Sequence, residues 1–216
     1  MALSVILIII FSQQSQSQKS GKLSIVAAEN FWGDIAEQLA GDRAEVTSII
    51  SSPSVDPHLY ESGAKDALAV ANADIAIANG LGYDDFMDEL TAASPNSGRT
   101  FIKISDILNY STGANPHLWY DVEHISQVAN NITAQLIAKD PTSSNFYQAN
   151  LSQFNASLQP LLTKIDEIKT TYPQTPVAYT ERVAGYLLAE ANLDVKTPEA
   201  FAIALEDGNE PTPADQ

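Results

Sequence analysis

From Tyr147 the chain carries an apolar residue every three or four positions without a miss: Tyr147, Leu151, Phe154, Leu158, Leu161, Ile165, Ile168 and Tyr172. That spacing follows one face of an α-helix. It predicts one helix of about 30 residues, roughly 45 Å long, against a diameter of about 30 Å for a small domain. Such a rod must run past a single unit. Pro160 lies inside the stripe without changing its phase, so a kink is expected there rather than a stop. A coiled coil would show the same pattern, but there is only one such segment and its flanks alternate between strand-like and helix-like stretches. The helix reads as a spine joining two lobes.

Before the spine the pattern is strand, helix, strand. Leu23 to Ala27 reads as a strand, and Asn30 as the cap of a helix with Phe31, Ile35 and Leu39 on one face, ended by Gly41. Val46 to Ile50, Asp74 to Ala78 and Thr100 to Ile104 read as further strands. Residues 63–72 and an acidic stretch from Tyr83 to Leu90 read as helices between them. Asp121 is expected to cap another, with Val122, Ile125, Val128, Ile132 and Leu136 along one stripe. After Pro173 and Pro176, Val177 to Thr180 reads as a strand, Arg182 to Ala191 as a helix and Leu193 to Val195 as a short strand. The expected fold class is α/β: two βα lobes with mostly parallel sheets joined by one long spine helix. The lobes are residues 22–140 and 174–216, with the spine at 141–173. The second is too short to balance the first and is expected to be incomplete.

Residues 1–20 stand apart. Leu3 to Phe11 is apolar but too short to cross a bilayer, and a Gln/Ser tract follows with small residues at Ser15 and Ser17. This is the pattern of a secretory signal, and it predicts an extracytoplasmic protein exported through its N-terminus. The charge balance agrees with a soluble exported chain: 27 Asp and Glu against 11 Lys and Arg, net −16. Nucleic acid and anionic membrane surfaces would repel it. There is no cysteine, which removes disulfides, thiolate metal sites and a cysteine-linked lipid from this stretch of sequence.

The chain has only three histidines, and two of them share a setting: Val55-Asp56-Pro57-His58-Leu59-Tyr60 and Asn115-Pro116-His117-Leu118-Trp119-Tyr120. Proline fixes its own φ and keeps the preceding residue extended, so each histidine sits on a stiffened loop. A stiff loop suits an imidazole that must hold one direction, as a metal ligand does. The repetition outweighs the simpler reading of two loop residues packed under aromatic neighbours. His58 follows the second predicted strand, His117 the fourth, and Glu181 comes straight after Val177 to Thr180. Ligands of parallel sheets gather outside the carboxyl ends of the strands, so the three can converge. His58, His117 and Glu181 would make a first shell for Zn²⁺, Mn²⁺ or Fe²⁺. A helix-start carboxylate is the plainer reading of Glu181 taken alone. His124 reads as a surface residue. No P-loop, GxGxxG, HExxH or GxSxG motif is present.

At these residues the chain resembles the solute-binding proteins that deliver zinc, manganese or iron to ABC importers. Asp-Pro-His-Leu-Tyr-Glu at 56–61 and Asn-Pro-His-Leu-Trp-Tyr-Asp at 115–121 are similar to that family's two histidine loops. Tyr-Thr-Glu-Arg-Val-Ala-Gly-Tyr at 179–186 is similar to its third-ligand segment, and Glu-Pro-Thr-Pro-Ala-Asp at 210–215 to a Glu/Asp-Pro-Ser-Pro segment. The resemblance implies two lobes with little hinge motion, a divalent metal held between them by His58, His117 and Glu181, and docking onto a membrane permease. It also implies that the chain is truncated at its C-terminal side, with a fourth carboxylate ligand beyond Gln216. Arg182, directly after Glu181, is a departure that puts a cation near the metal or pairs with Glu181 in its place. The expected function is capture of Zn²⁺ or Mn²⁺, with Fe²⁺ a third candidate, by a monomer with no catalysis. The alternatives are a metallohydrolase using the same His₂Glu set and a surface adhesin stabilised by metal.

Overall fold

The computed structural model describes residues 21–214. The predicted signal at residues 1–20 lies outside them. Four strands, β1 (Leu23–Glu29), β2 (Ala44–Ile50), β3 (Ile75–Ala78) and β4 (Thr100–Lys103), form one sheet in the order β2-β1-β3-β4. Every pairing is parallel. Strand β1 is buried on both sides, and alternate residues point to opposite faces. Ile25 and Ala27 face one core with α1 (Asn30–Ala40) and α5 (Ile125–Lys139). Val26 and Ala28 face another with α2 (Ala64–Asn72) and α3 (Phe86–Ala93). Both faces of the sheet are therefore covered, as the βα alternation requires.

The spine is α6, Ser144–Thr171, 28 residues that run unbroken through Pro160. Its first half buries Tyr147, Leu151 and Phe154 in the core shared with α1 and α5. Further along, Ile165 packs with Val122 and Ala191 in a separate cluster, with Leu187 and Leu193 at its edge. One helix thus touches both halves of the chain. Leu161 is 44% and Tyr172 58% exposed, so the apolar stripe is not buried along its whole length.

After α6 the strands are shorter than the pattern predicts. Among the described residues there, only β5 (Pro176–Val177) and β6 (Asp194–Val195) pair, in parallel. Helix α7 begins at Gly185 and ends at Glu190, and α8 (Glu199–Glu206) follows. Helices α4 (Ile104–Leu108) and α8 were not expected; α4 is a single short turn, and in α8 an apolar run carries no clear period. Two expected caps also differ. Asn30 is the first residue of α1, preceded by Glu29 as the N-cap, and neither Glu29 nor the cap of α5, His124, makes a side-chain capping bond. The Asp121 carboxylate is used elsewhere, accepting from Tyr110 Oη at 2.9 Å and meeting His124 Nδ1 at 2.8 Å.

Candidate metal centre

The parallel strands put all four carboxyl ends at one edge. Connections from β1 go first to β2 on one side, then across to β3 on the other, so chain order reverses around β1. A crevice outside such a reversal is where α/β sheets hold ligands. The loop after β2 carries His58, whose backbone lies in the 3-10 turn Pro57–Leu59. The His58 side chain is outside the described part of the structure.

His117 is buried, 5% exposed, just before the 3-10 turn Leu118–Tyr120. Tyr83 and Trp119 stand edge-on to its ring, with centroids at 5.8 and 5.2 Å. Phe31 stacks on Trp119 at 4.1 Å and backs that wall. Asn115 fixes the ring from its other side. Its Oδ1 accepts the His117 backbone N–H at 3.2 Å, and its Nδ2 donates to the Arg182 carbonyl at 2.8 Å. Both bonds orient the amide the same way, so its oxygen is the atom 2.6 Å from His117 Nδ1. In the neutral ring Nδ1 must therefore carry the hydrogen, and Nε2 keeps the lone pair a metal needs.

The same amide reaches the residue after the third predicted ligand. Glu181 is exposed and extended, the residue before the 3-10 turn Arg182–Ala184. Its neighbour Arg182 offers the carbonyl that Asn115 holds, and Tyr186 Oη donates to the Asn115 carbonyl at 2.7 Å. Gly185 allows this approach: a Cβ there would stand 2.8 Å from Asn115 Nδ2. Arg182 does not pair with Glu181, contrary to one expectation. Its guanidinium donates to Glu206 at 3.0 and 2.8 Å and lies 3.5 Å from Glu199, which turns its charge toward α8. His124 is half-exposed, as expected of a surface residue, and the hydrogen bond to Asp121 raises its pKa.

A second network beneath His117 was not foreseen. Trp32 Nε1 donates to Asn79 Oδ1 at 3.2 Å, and Asn79 Nδ2 donates to the Pro116 carbonyl at 2.8 Å. The turn after β3 is held by Asp84, which accepts N–H bonds from Asn79 at 2.6 Å and Gly80 at 2.8 Å. Gly80 has φ 84°, and a Cβ on it would meet Ser105 Oγ at 2.3 Å. Gly80→Ala is expected to cost about 1–3 kcal/mol, read as a lower denaturation midpoint. Asn115 was visible in its motif only as a neighbour of Pro116.

Among the described residues, no three His, Asp or Glu side chains form a group able to hold a metal. The structure brings the His117 and Glu181 loops together through Asn115, and carries His58 on the loop after β2, the outer strand on the other side of the sheet from β4.

The family model for ZnuA, the periplasmic component A of a zinc-uptake complex, matches residues 25–216. The chain belongs to this family. It is 31% identical to the manganese-binding lipoprotein MntA of Halalkalibacterium halodurans over 163 residues, 73% of this chain and 53% of that protein. It is 32% identical to the iron ABC transporter substrate-binding lipoprotein MtsA of Streptococcus pyogenes over 173 residues, 74% of this chain and 56% of that one. The chain thus spans about half the length of the curated relatives it matches. The periplasmic zinc-binding protein TroA of Treponema pallidum shares the fold, with a TM-score of 0.75 at 22% identity over 90% of this chain and 72% of TroA.

Proposed function

We propose that the protein captures a divalent transition metal, Zn²⁺ or Mn²⁺ with Fe²⁺ a third candidate, outside the cytoplasm and delivers it to the membrane permease of an ABC importer. The metal is cargo, and no catalysis is involved. His58 and His117 bind it as neutral imidazoles and Glu181 as a carboxylate, between a first lobe at 22–140 and a second at 174–216 joined by 141–173. The protein acts as a monomer without nucleic acid, and residues 1–20 direct its export. One observation carries the reading. Asn115 holds His117 through Nδ1 and at the same time grips the backbone beside Glu181. That is how an outer-shell group readies an imidazole for a metal. The names of the relatives, manganese-binding for MntA and iron for MtsA, support the cargo class.

The test is calorimetric titration of the full chain with Zn²⁺ and with Mn²⁺. One metal bound per chain is expected, and absence of binding by either overturns the proposal. Imidazoles ligate only when unprotonated, so affinity should fall as pH drops through about 6.5, the ordinary histidine value. A separate prediction concerns Asn115. Asn115→Leu removes both the acceptor for His117 Nδ1 and the donor to Arg182, and is expected to weaken metal binding about 10–100-fold. Asn115→Asp keeps the acceptor and should recover part of the loss. Equal affinity in all three proteins would show that the amide does not set the ring.

A further inference from the structure

Glu181, the third proposed ligand, is exposed, so its direction is set by the chain on either side of it. Both sides are tied. Two residues before it, the Tyr179 N–H donates to Thr197 Oγ1 at 3.0 Å, and that hydroxyl donates back to the Tyr179 carbonyl at 2.8 Å. After it, Arg182 has both backbone polar groups held. Asn115 Nδ2 donates to its carbonyl at 2.8 Å, and its N–H donates to Glu206 Oε1. The second oxygen of the same carboxylate, Oε2, accepts from Arg182 Nε and Nη2 at 3.0 and 2.8 Å. Glu206 therefore grips one residue twice, by main chain and by side chain. The N–H it takes belongs to the peptide that joins Glu181 to Arg182.

Helix α8 itself has no use for that carboxylate. Glu206 is its last residue, at the end where the helix dipole favours a cation, and the last turn carries no basic residue. The Glu206 side chain is only 7% exposed, and burying an anion costs free energy unless it is paired. Its partner, the Arg182 side chain, is 12% exposed. A buried ion pair adds little net stability over well-packed apolar residues, so its use here lies in the arrangement it fixes. Arg182 follows a proposed ligand, and a loose guanidinium there would repel a divalent cation. We propose that Glu206 is a positioning residue of the metal site: through Arg182 it fixes the backbone that carries Glu181 and offsets the cationic charge beside it. This rests on the metal-capture reading above. Both Glu206 oxygens are engaged by Arg182, so it acts without touching the metal. Asn115 and Glu206 thus hold Arg182 by its carbonyl and its N–H, one from the His117 loop and one from α8.

The experiment is Zn²⁺ and Mn²⁺ titration of the full chain beside three variants, with thermal unfolding of each metal-free protein. Glu206→Gln keeps an oxygen for the Arg182 N–H but leaves the guanidinium uncompensated, and is expected to bind about 10–100-fold more weakly. Adding Arg182→Met to Glu206→Gln removes that loose charge while an acceptor for the backbone remains, and most of the loss should be recovered. Glu206→Ala with Arg182→Met also lacks both charges but leaves the N–H without its acceptor, and should stay weak. These two double variants differ at position 206 alone, so their comparison reads the positioning even if Glu206→Gln by itself does not fold. A pair that served only the fold would give affinities that follow the melting temperatures in all four proteins, and that result overturns the inference. Parent-like affinity in Glu206→Gln, or equal affinity in the two double variants, also overturns it and leaves metal capture standing without Glu206. Absence of binding by the parent removes the capture reading itself, and this inference with it.

Discussion

With His58 and His117 both replaced by alanine, the heats of Zn²⁺ and Mn²⁺ binding are expected to vanish while the protein still unfolds cooperatively. The double variant removes every imidazole from the proposed ligand set and leaves carboxylates, which suit hard cations and give transition metals little selectivity. The single variants separate the two loops. His117 is buried against Tyr83 and Trp119, so His117→Ala also opens space and takes one partner from Asn115 Oδ1. A folding cost of about 1–3 kcal/mol is expected from that loss. Thermal unfolding of the metal-free variant therefore belongs beside the titration. If the double variant is folded and binds metal as the parent does, the histidine pair is scaffolding and the ligands lie elsewhere.

The parts of this molecule that could be read from its sequence are those governed by periodicity. The stripe from Tyr147 to Tyr172 became α6, and β1 to β4 appeared within a few residues of their expected ends. Burial makes such patterns, and burial repeats every turn or every second residue. Capping failed because it depends on competing partners. Asp121 was well placed to cap a helix, but Tyr110 and His124 claim its carboxylate, and a 3-10 turn, Val122–His124, intervenes before α5. Arg182 shows the same limit. Next to Glu181 it looked like a rival for that carboxylate, yet Glu206, 24 positions on, takes its guanidinium. The site divides along the same line. The Pro-His repeat was local and legible. Asn115 joining His117 to the Arg182 backbone bridges positions 67 apart, a contact that no short-range pattern reports.

Trp32→Ala is expected to lower the unfolding free energy by about 3–5 kcal/mol, the range for emptying a fully buried aromatic site. Trp32 is 0% exposed and sits among Ile25, Leu39 and Ile77 between α1 and the sheet. Its indole also carries a polar duty. Nε1 donates to Asn79 Oδ1, and Asn79 in turn donates to the Pro116 carbonyl beside His117. Trp32→Phe keeps most of the apolar bulk but strips Asn79 of a buried partner, so a smaller loss of about 1–3 kcal/mol is expected. Urea denaturation should report both losses as lower midpoints at an unchanged slope. Stability alone does not test the link to the metal loop. The comparison that does is Leu136→Ala, a fully buried truncation on α5 with no hydrogen bond to lose. If Asn79 steadies the Pro116-His117 segment, Trp32→Phe should reduce metal affinity more than Leu136→Ala, although Leu136→Ala is the more destabilising, at about 2–5 kcal/mol. Affinities that simply follow stability would mean that Asn79 holds the core together and leaves His117 to Asn115.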